Sequence, residues 1–301
     1  MNSFYKNKNV LVTGGAGFIG SHLVEKLVAA SARVTVLDSF VTGSMENLAT
    51  VQHKITIIND DIRSYDACLQ ACRNQEYVFH LAAHISVPDS MQNPLLCQEV
   101  NIKGTYHMLE AARIHNIKQF IFSSSCAVYG QKDTPCTETD ACNPTSCYAY
   151  SKLIGEQLCK QYATLFSLPT VCLRYFNVFG PRQNPHGPYA GVMAQFKEQI
   201  IEHKPVTIFG DGLQSRDFVP VETIVKANLL LAQLADNKSL GQAINVGTET
   251  STSILDIFNQ LKKNIPSYNL KPIFKPAREG DILFSQADCS LLKDILAKIP
   301  S

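Results

Sequence analysis

The stretch "NVLVTGGAGFIG", residues 9–20, decides the fold class. It begins as a short apolar run typical of a buried strand, and a helical pattern, "GSHLVEKLVAA", follows it. Gly14, Gly17 and Gly20 lie three residues apart in between. Such a turn is tight, lets the backbone approach a pyrophosphate and points a helix N-terminus at that anion. The alternative is a glycine-rich turn that binds nothing, and the motif alone leaves both open.

The second strand-like run, "RVTVLDS", ends in Asp38. A carboxylate at this place accepts hydrogen bonds from both ribose hydroxyls and repels a 2′-phosphate, so it favours NAD over NADP. The alternative role for Asp38 is a helix cap, which Ser39 or Thr42 could supply equally well. The order of strand, glycine turn, helix and carboxylate favours the nucleotide site.

Short apolar runs alternate with amphipathic helical stretches over the first half of the chain. The runs are "NVLVTGG", "RVTVLDS", "ITIIND", "EYVFHLAA", "QFIFSSS" and "PTVCLRYF". This order predicts an α/β fold with a Rossmann-type doubly wound parallel sheet. After about Phe176, loops rich in Gly and Pro and shorter strands appear. We therefore expect an NAD-binding domain over residues 1–176 and a smaller α/β lobe, mainly for the substrate, over residues 177–301.

The composition excludes several classes of partner. The 301 residues are 45% hydrophobic and 18% charged, with a formal net charge of +1, so no basic surface points to nucleic acid or membrane. We see no signal peptide and no bilayer-spanning stretch. The ten cysteines are scattered without zinc-site spacing, so we expect free thiols in a reducing cytoplasm and no metal site.

The segment "NPTSCYAYSK", residues 143–152, carries two tyrosines ahead of Lys152. Helical residues four apart share a face, so Tyr148 and not Tyr150 can lie beside Lys152. An ammonium there would lower the pKa of the Tyr148 phenol toward neutral and make it a base. The alternative is a pair of aromatic residues on a helix surface.

The spacing Tyr-x-x-x-Lys after a glycine-rich turn resembles the extended branch of the short-chain dehydrogenases/reductases. The partner serine of that family would lie in "FSSSCAVYG", at Ser125, with Ser124 as second choice. The segments "LRYFNVFGPRQNPHGPYAGV", "FGDGLQSRDFVPV" and "PAREGDILFSQAD" resemble the nucleotide-sugar 4-epimerases, most of all those acting on N-acetylated UDP-hexosamines. The likeness spans nearly the whole chain, although the family usually continues for some tens of residues beyond "QAD".

The resemblance implies a cofactor, a substrate and the residues that hold them. The catalytic residues would be Ser125, Tyr148 and Lys152. NAD would be bound by Gly14, Gly17, Phe18, Ile19, Gly20, Asp38, Asp61, Ile62, Leu81, Ala82, Ala83, Asn101, Tyr148, Lys152 and Phe176. The UDP-sugar would be bound by Ser86, Ser125, Asn177, Val192, Thr207, Phe209, Arg216, Arg278, Asp281 and Ser285. Arginine suits a diphosphate because it offers planar bidentate donors, although either arginine could instead pair with a neighbouring acid, Asp217 or Glu279.

The expected reaction is inversion at C4 of a UDP-hexose through a transient 4-keto sugar. Tyr148 would take the hydroxyl proton, with Ser125 bridging. By resemblance, a small residue at Ser285 leaves room for a 2-acetamido group without excluding plain hexoses. Related dehydratases and decarboxylases carry an acid just after the serine, whereas this chain has Cys126 and Ala127. The third alternative is a non-catalytic NAD-binding regulator, and a homodimer is expected by resemblance.

Overall fold

A computed structural model describes residues 3–185, 191–234, 241–277 and 282–298. The first half supplies strands β1 (Asn9–Thr13), β2 (Arg33–Asp38), β3 (Ile55–Asn59), β4 (Tyr77–His80), β5 (Gln119–Ser125) and β6 (Thr170–Tyr175). Its helices are α1 (Phe18–Ala29), α2 (Tyr65–Cys72), α3 (Val87–Gln92), α4 (Pro94–Gln98), α5 (Gly104–Ile114) and α6 (Cys147–Phe166). One π-helical turn, Glu99–Lys103, joins α4 to α5, and 3₁₀ turns cover Met45–Leu48, Gln52–Lys54 and Cys126–Tyr129.

The second half supplies smaller elements. Its strands are β7 (Asn177–Phe179), β8 (Thr207–Phe209), β9 (Ser215–Pro220), β10 (Gln242–Val246), β11 (Ser251–Ser253) and β12 (Ile273–Lys275). Its helices are α7 (Val192–Ile201), α8 (Val221–Leu231), α9 (Ile254–Lys263) and α10 (Ser290–Leu296).

The large sheet is parallel throughout, with the strand order β10-β6-β5-β4-β1-β2-β3. The order reverses between β1 and β4, and ligands of such sheets bind at the carboxyl ends of the strands beside this point. The glycine turn after β1 and the serine run at the end of β5 both lie at that edge. The predicted doubly wound fold is therefore confirmed.

Two apolar clusters fill the two faces of the large sheet, as expected for strands covered by helices on both sides. A third cluster lies apart in the second half and contains Phe196, Ile208, Ile257, Phe258 and Tyr268. That separate core supports a smaller lobe. The boundary at residue 176 stays a prediction, because β10 returns to the large sheet and α8 packs on α1.

The ten cysteines form no disulfide, as expected of free thiols. Within the described ranges, no helix is long and apolar enough to cross a membrane, and no cluster of side chains has the makeup of a metal site.

Candidate active site

The glycine turn is shaped by close backbone approaches. Gly14 has φ +68°, and a Cβ there would lie 2.7 Å from the backbone nitrogen of Ala82. A Cβ on Gly20 would lie 2.1 Å from the carbonyl oxygen of Gly14. These positions need glycine for the fold itself, because both contacts are with backbone atoms that cannot move aside.

The N-terminus of α1 is open to an anion. Gly17 is its N-cap and provides no side-chain cap, and a Cβ at Gly17 would meet only the Gly14 carbonyl oxygen, at 3.2 Å. Helices α2, α3, α6 and α9 each begin with a serine that accepts a backbone hydrogen bond. The first amides of α1 therefore lack the side-chain acceptor that serves those helices, which suits the pyrophosphate of NAD. Phe18 and Ile19 begin the helix and are half-buried.

Asp38 ends β2 as predicted and is only 8% exposed. Its carboxylate accepts the backbone N–H of Ala16 at 2.8 Å and that of Phe40 at 2.9 Å. Burial raises the pKa of this carboxyl, and the two hydrogen bonds oppose the rise. Asp38 thus holds the glycine turn and does not cap the following 3₁₀ turn, where Ser44 accepts from Glu46. A carboxylate has about four acceptor sites, so capacity remains for a ribose.

The loop after β4 is held at the same edge by side chains beneath it. Thr13 accepts the backbone N–H of Ala82, and Leu81, Ala82 and Ala83 are half-buried. Asn101, on the π-helical turn, accepts the N–H of His84 at 2.7 Å. Its amide nitrogen donates to the His84 carbonyl at 2.9 Å and to Ser151 at 2.8 Å. Asn101 thus spends its amide donors on the loop at His84 and on Ser151 of α6, which gives it a positioning role, and its expected contact with NAD stays a prediction.

The remaining residues expected to contact NAD lie at two places. Asp61 follows β3, forms an ion pair of 2.9 Å with Arg63 and lines an open cavity of about 390 Å³. Ile62 is buried, and a Cβ on Gly104 would lie 2.6 Å from its side chain, so Ile62 packs against α5. Phe176 follows β6 and is buried, with its ring centroid 6.4 Å from that of Tyr129.

Ser125, Tyr148 and Lys152 converge where β5 ends. Ser146 caps α6, and Ser90 accepts the backbone N–H of Tyr148 at 3.1 Å, which fixes the first turn of the helix. The Ser125 side chain is close enough to the Tyr148 phenol to lower its pKa as a hydrogen-bonding neighbour. The Lys152 Nζ lies 5.9 Å from the centroid of the Tyr148 ring.

Two alternatives at the catalytic positions are decided by burial. Tyr150 is 54% exposed and points away from Lys152, so the helical-face interpretation is confirmed. Ser124, the second choice for the partner serine, is 3% exposed and donates to Glu156 at 2.5 Å. Ser124 therefore faces the interior, and Ser125 remains the candidate.

The expected lowering of the Tyr148 pKa is wrong for this structure. Burial raises the pKa of Tyr148 to about 12, and the hydrogen bond with Ser125 opposes the rise. Lys152 is itself only 4% exposed, and burial lowers its pKa to about 8. Its Nζ donates to the Ser123 carbonyl oxygen at 2.8 Å and does not reach the phenol. Spacing on the helix brought the two side chains together, but dehydration, which spacing does not reveal, opposes both charges.

A second cavity, of about 440 Å³, is lined by residues of the second half of the chain together with Ile85 of the first half. It brings together five residues predicted to bind the UDP-sugar, namely Asn177, Val192, Thr207, Phe209 and Arg216. Sequence reasoning missed Ile85, Gln183 and Gln214, which also line it. Gln214 donates to the Phe209 carbonyl at 2.7 Å, and its position between two glycine-rich turns gave no distinct signal. Arg278 and Asp281 lie outside the described residues.

The alternative for Arg216 is an ion pair with Asp217, but the Asp217 carboxylate has other partners. Asp217 is fully buried and accepts hydrogen bonds from the backbone of Thr248, Glu249 and Ala287. Ser86 has a partner in the fold, and its expected contact with the UDP-sugar stays a prediction. It is 2% exposed, and its hydroxyl caps α3 by accepting the N–H of Asp89 at 3.1 Å.

Ser285 does not lie in a solvent-facing turn. It is 8% exposed, and its N–H donates to the Ser215 carbonyl oxygen at 3.1 Å. Its side chain forms a hydrogen bond with Cys126, the residue that follows Ser125. Ser285 is thus placed between Cys126 and the strand that carries Arg216.

This geometry agrees with comparisons of the chain with known proteins. The model of the NAD-dependent epimerase/dehydratase family matches residues 10–247. The chain belongs to this family. Members of the NAD-dependent epimerase/dehydratase family depend on NAD, and the glycine turn, open α1 terminus and Asp38 fit that cofactor.

Three similar proteins show the range of reactions among the relatives. The structure of UDP-N-acetylglucosamine 4-epimerase from Methanobrevibacter ruminantium M1, in complex with UDP-N-acetylmuramic acid, is 41% identical with a TM-score of 0.91, covering 96% of this chain and 92% of that one. UDP-glucose 4-epimerase of Mycolicibacterium smegmatis is 37% identical over 96% of this chain and 93% of its own. UDP-N-acetyl-alpha-D-glucosaminuronate decarboxylase of Bacillus cytotoxicus is also 37% identical, over 83% and 78%. Sequence identity therefore does not distinguish an epimerase from a decarboxylase. The residues of the site have to decide between the two reactions.

Proposed function

We propose that the protein interconverts UDP-hexoses at C4, with UDP-N-acetylglucosamine and UDP-N-acetylgalactosamine among its substrates. The observation that carries the proposal is the meeting of Ser125, Tyr148 and Lys152 at the sheet edge, with Ser285 beside Cys126. The five substrate residues named above share the cavity of about 440 Å³. Relatives with this chemistry cover nearly the whole chain.

The residues of the chain divide the work. Tyr148 takes the proton of the sugar 4-hydroxyl as general base and returns one to the keto oxygen, with Ser125 relaying it. NAD, which the glycine turn, the open N-terminus of α1 and Asp38 would hold, would supply reversible hydride exchange with C4 of the sugar and a positive ring charge when oxidised. Lys152, held by the Ser123 carbonyl, keeps a second positive charge close to Tyr148. Together these charges offset the burial that otherwise raises the pKa of the phenol.

The substrate has to be held by a part that does not react, because the 4-keto sugar must turn over between the two hydride transfers. Arg216 and Asn177 line the cavity at the ends of β9 and β7 and would bind the UDP portion. Val192 and Phe209 supply apolar walls, and Thr207 a hydroxyl. We propose that Arg278 and Asp281 complete this grip.

Decarboxylation and dehydration need an acid or a carboxylate-binding group directly after the serine. In this chain Cys126 and Ala127 occupy those positions. Burial raises the pKa of Cys126 to about 12, so its thiol is neutral at physiological pH and is a poor acid. The site thus favours epimerisation over the reaction of the decarboxylase relative.

The test is incubation with one nucleotide sugar at a time and no added reductant. We expect UDP-N-acetylglucosamine to yield UDP-N-acetylgalactosamine, and UDP-glucose to yield UDP-galactose, each separated by ion-pair chromatography. Formation of carbon dioxide from a UDP-hexuronate, or of a stable 4-keto-6-deoxy sugar, would instead assign one of the alternative reactions. Absence of turnover with tightly bound NAD would favour the regulator.

We propose in addition that the protein is a homodimer that pairs through α5 and α6. Apolar side chains on these helices are exposed to solvent, among them Tyr106 at 48%, Tyr150 at 54% and Ile154 at 38%. Leu95 on α4 is 76% exposed on the same run of helices. Grouped apolar exposure of this kind marks an interaction surface. The predicted place of action is the cytoplasm.

A further inference from the structure

Helix α6 contacts β5 through three side chains in a row, and the proposed mechanism uses only two of them. Tyr148, Lys152 and Glu156 are four residues apart and share one face of the helix. Their partners are consecutive residues of β5. The contacts are Tyr148 with the Ser125 side chain, Lys152 with the Ser123 carbonyl oxygen, and Glu156 with the Ser124 hydroxyl. Glu156 is therefore the third fastening of the catalytic helix to the strand that carries Ser125.

Glu156 is buried together with a cation. It is 4% exposed and pairs with Arg174 of β6, which is 5% exposed. The Arg174 Nε donates to one carboxylate oxygen at 2.9 Å, and Nη2 donates to the other at 2.7 Å. Arg174 is also the neighbour of Ser124 across β5 and β6. The bidentate pair thus fixes α6 against two adjacent strands at the level of the catalytic residues.

A buried ion pair with only a structural role would add little to the stability of the fold at this place. Burying two charges removes their hydration, and well-packed apolar residues often stabilise a fold as well or better. The position suggests another role, because Glu156 lies one helical turn beyond Lys152, whose ammonium is buried and has to keep its charge.

The groups facing Lys152 come from three elements. Cys97 of α4 and His80 of β4 are neutral near pH 7, since burial raises the pKa of Cys97 and lowers that of His80 to about 3. Cys159 and Glu156 face it from α6 itself. Burial lowers the pKa of Lys152, and Cys97, Cys159 and, least of the three, Glu156 oppose that effect; Glu156 is the carboxylate among them.

We propose that Glu156 and Arg174 form a positioning pair of the reaction, which holds α6 in register with β5 and keeps Lys152 charged beside Tyr148. Glu156 supplies the negative charge that Lys152 needs in the interior. Arg174 holds and orients that carboxylate through its two hydrogen bonds. Neither residue touches the substrate or the reacting atoms.

The inference rests on the proposed epimerase function for its kinetic test, which is the pH profile of kcat/KM. The reaction needs the Lys152 ammonium, so activity falls as pH rises through its pKa. Glu156→Gln removes the carboxylate and leaves the Arg174 cation unpaired, and both changes disfavour a second buried cation. We expect the alkaline limb to move to lower pH by about one unit or more. In the double variant Glu156→Gln/Arg174→Met no unpaired cation remains, but the carboxylate is still missing, so the limb should move only part of the way back.

Two control variants separate charge from packing. Ser124→Ala removes the hydroxyl bonded to Glu156 and keeps both charges, so the alkaline limb should stay in place whatever happens to kcat. Arg174→Lys keeps the cation but loses the bidentate geometry, and it should lower kcat with a smaller shift of the limb. The proposal would be overturned if the alkaline limb of the kcat/KM profile lay at the same pH in the wild type and in a folded Glu156→Gln variant.

A second readout does not depend on turnover. Lysine labelled with ¹³C and ¹⁵N allows the titration of the Lys152 side chain to be followed by NMR, with the signal assigned by its loss in Lys152→Met. We expect the midpoint to move to lower pH in Glu156→Gln and only part of the way back in the double variant. If the midpoint moves but no UDP-hexose is converted, the proposed function fails and the pair stands. If conversion occurs and the midpoint does not move, the pair fails.

Discussion

The backbone of Ser285 is bonded to that of Ser215, with the Ser285 N–H donating to the Ser215 carbonyl oxygen at 3.1 Å. The next residue along β9 is Arg216, which lines the candidate substrate cavity. The segment is held from its other end by Asp217, which accepts the N–H of Ala287. Ser285, which is expected to select the sugar, is therefore bonded to the same strand as Arg216, which is expected to bind the diphosphate.

Ser285→Tyr should abolish turnover of the N-acetylated UDP-hexosamines and spare that of UDP-glucose and UDP-galactose. The small serine leaves volume for the 2-acetamido group, and a tyrosine fills it. The wild type should accept both pairs, because spare volume rejects a smaller ligand by only about 1–3 kcal/mol. Steady-state kinetics with all four sugars measure the split. Ser290→Tyr, at an exposed serine, is the control, and unchanged kinetics in both variants would place Ser285 away from the sugar.

Tyr148→Phe should lower kcat by roughly two to four orders of magnitude, the usual effect of losing a general base. Tyr150→Phe removes the same hydroxyl from a side chain that is 54% exposed and should be mild. Circular dichroism on both variants controls for folding. Comparable large losses would contradict the assignment of the base to Tyr148.

NAD should support activity far better than NADP once the protein has been stripped of nucleotide and reloaded. Asp38 is buried at the end of β2, where its carboxylate would meet the 2′-phosphate of NADP. One such repulsion of about 1.4 kcal/mol is a tenfold preference. Asp38→Asn keeps one acceptor for the backbone N–H of Ala16 or of Phe40. It should reduce the preference for NAD over NADP. Equal activity with the two nucleotides in the wild type would show that Asp38 does not read the ribose.

Lys152→Met should inactivate the protein and yet stabilise it at neutral pH. The folded pKa of about 8 lies below the usual 10.5 of a lysine, so the unfolded chain binds more protons between these values. The free energy of unfolding of the wild type consequently rises between about pH 8 and pH 10.5. Below about pH 8 the buried charge of Lys152 destabilises the fold by its full amount. We expect the variant to be more stable by about 1–3 kcal/mol at pH 7, with the gap closing toward pH 10.5. Thermal melts across pH measure it, and Lys160→Met, on the exposed face of α6, should show no such gap.

Ile154→Glu should convert the proposed dimer to a monomer in light scattering. It places a charge in the apolar group on α5 and α6 that includes Tyr106 and Tyr150. Ile273→Glu, at a side chain 48% exposed on β12, introduces the same charge far from that group and should leave the mass unchanged. A wild-type mass of about one chain would contradict the dimer outright.

Much of the candidate site followed from local spacing. The strand, glycine turn and helix around Gly14 are set by nearest neighbours, and the four-residue spacing of Tyr148 and Lys152 is a property of any α-helix. The same is true of the exposed Tyr150. Resemblance placed Asn177, Thr207 and Arg216 at one ligand, and the structure gathers them at one cavity.

Other assigned side chains also have partners within the fold, and their contacts with a ligand stay predictions. Ser86 and Asn101 carry polar groups of the expected kind, but the first caps a helix and the second clamps the loop at His84. The choice between binding a ligand and binding the fold depends on neighbours distant in sequence. Asn101 and Ser151, for example, are 50 residues apart and bonded at 2.8 Å.

The sequence by itself determined the class of fold, the glycine turn and which tyrosine shares a helix face with Lys152, because each is encoded in a period or in a short run of neighbouring residues. Only the tertiary structure decided the pKa values of Tyr148 and Lys152. Burial raises the pKa of Tyr148 to about 12 and lowers that of Lys152 to about 8, and both shifts depend on how much water the assembled sheet and helices exclude. It alone also brought Glu156 and Arg174 together, 18 residues apart along the chain, beneath Ser124. Dehydration and charge pairing arise from the whole packed interior, so no local pattern of residues records them.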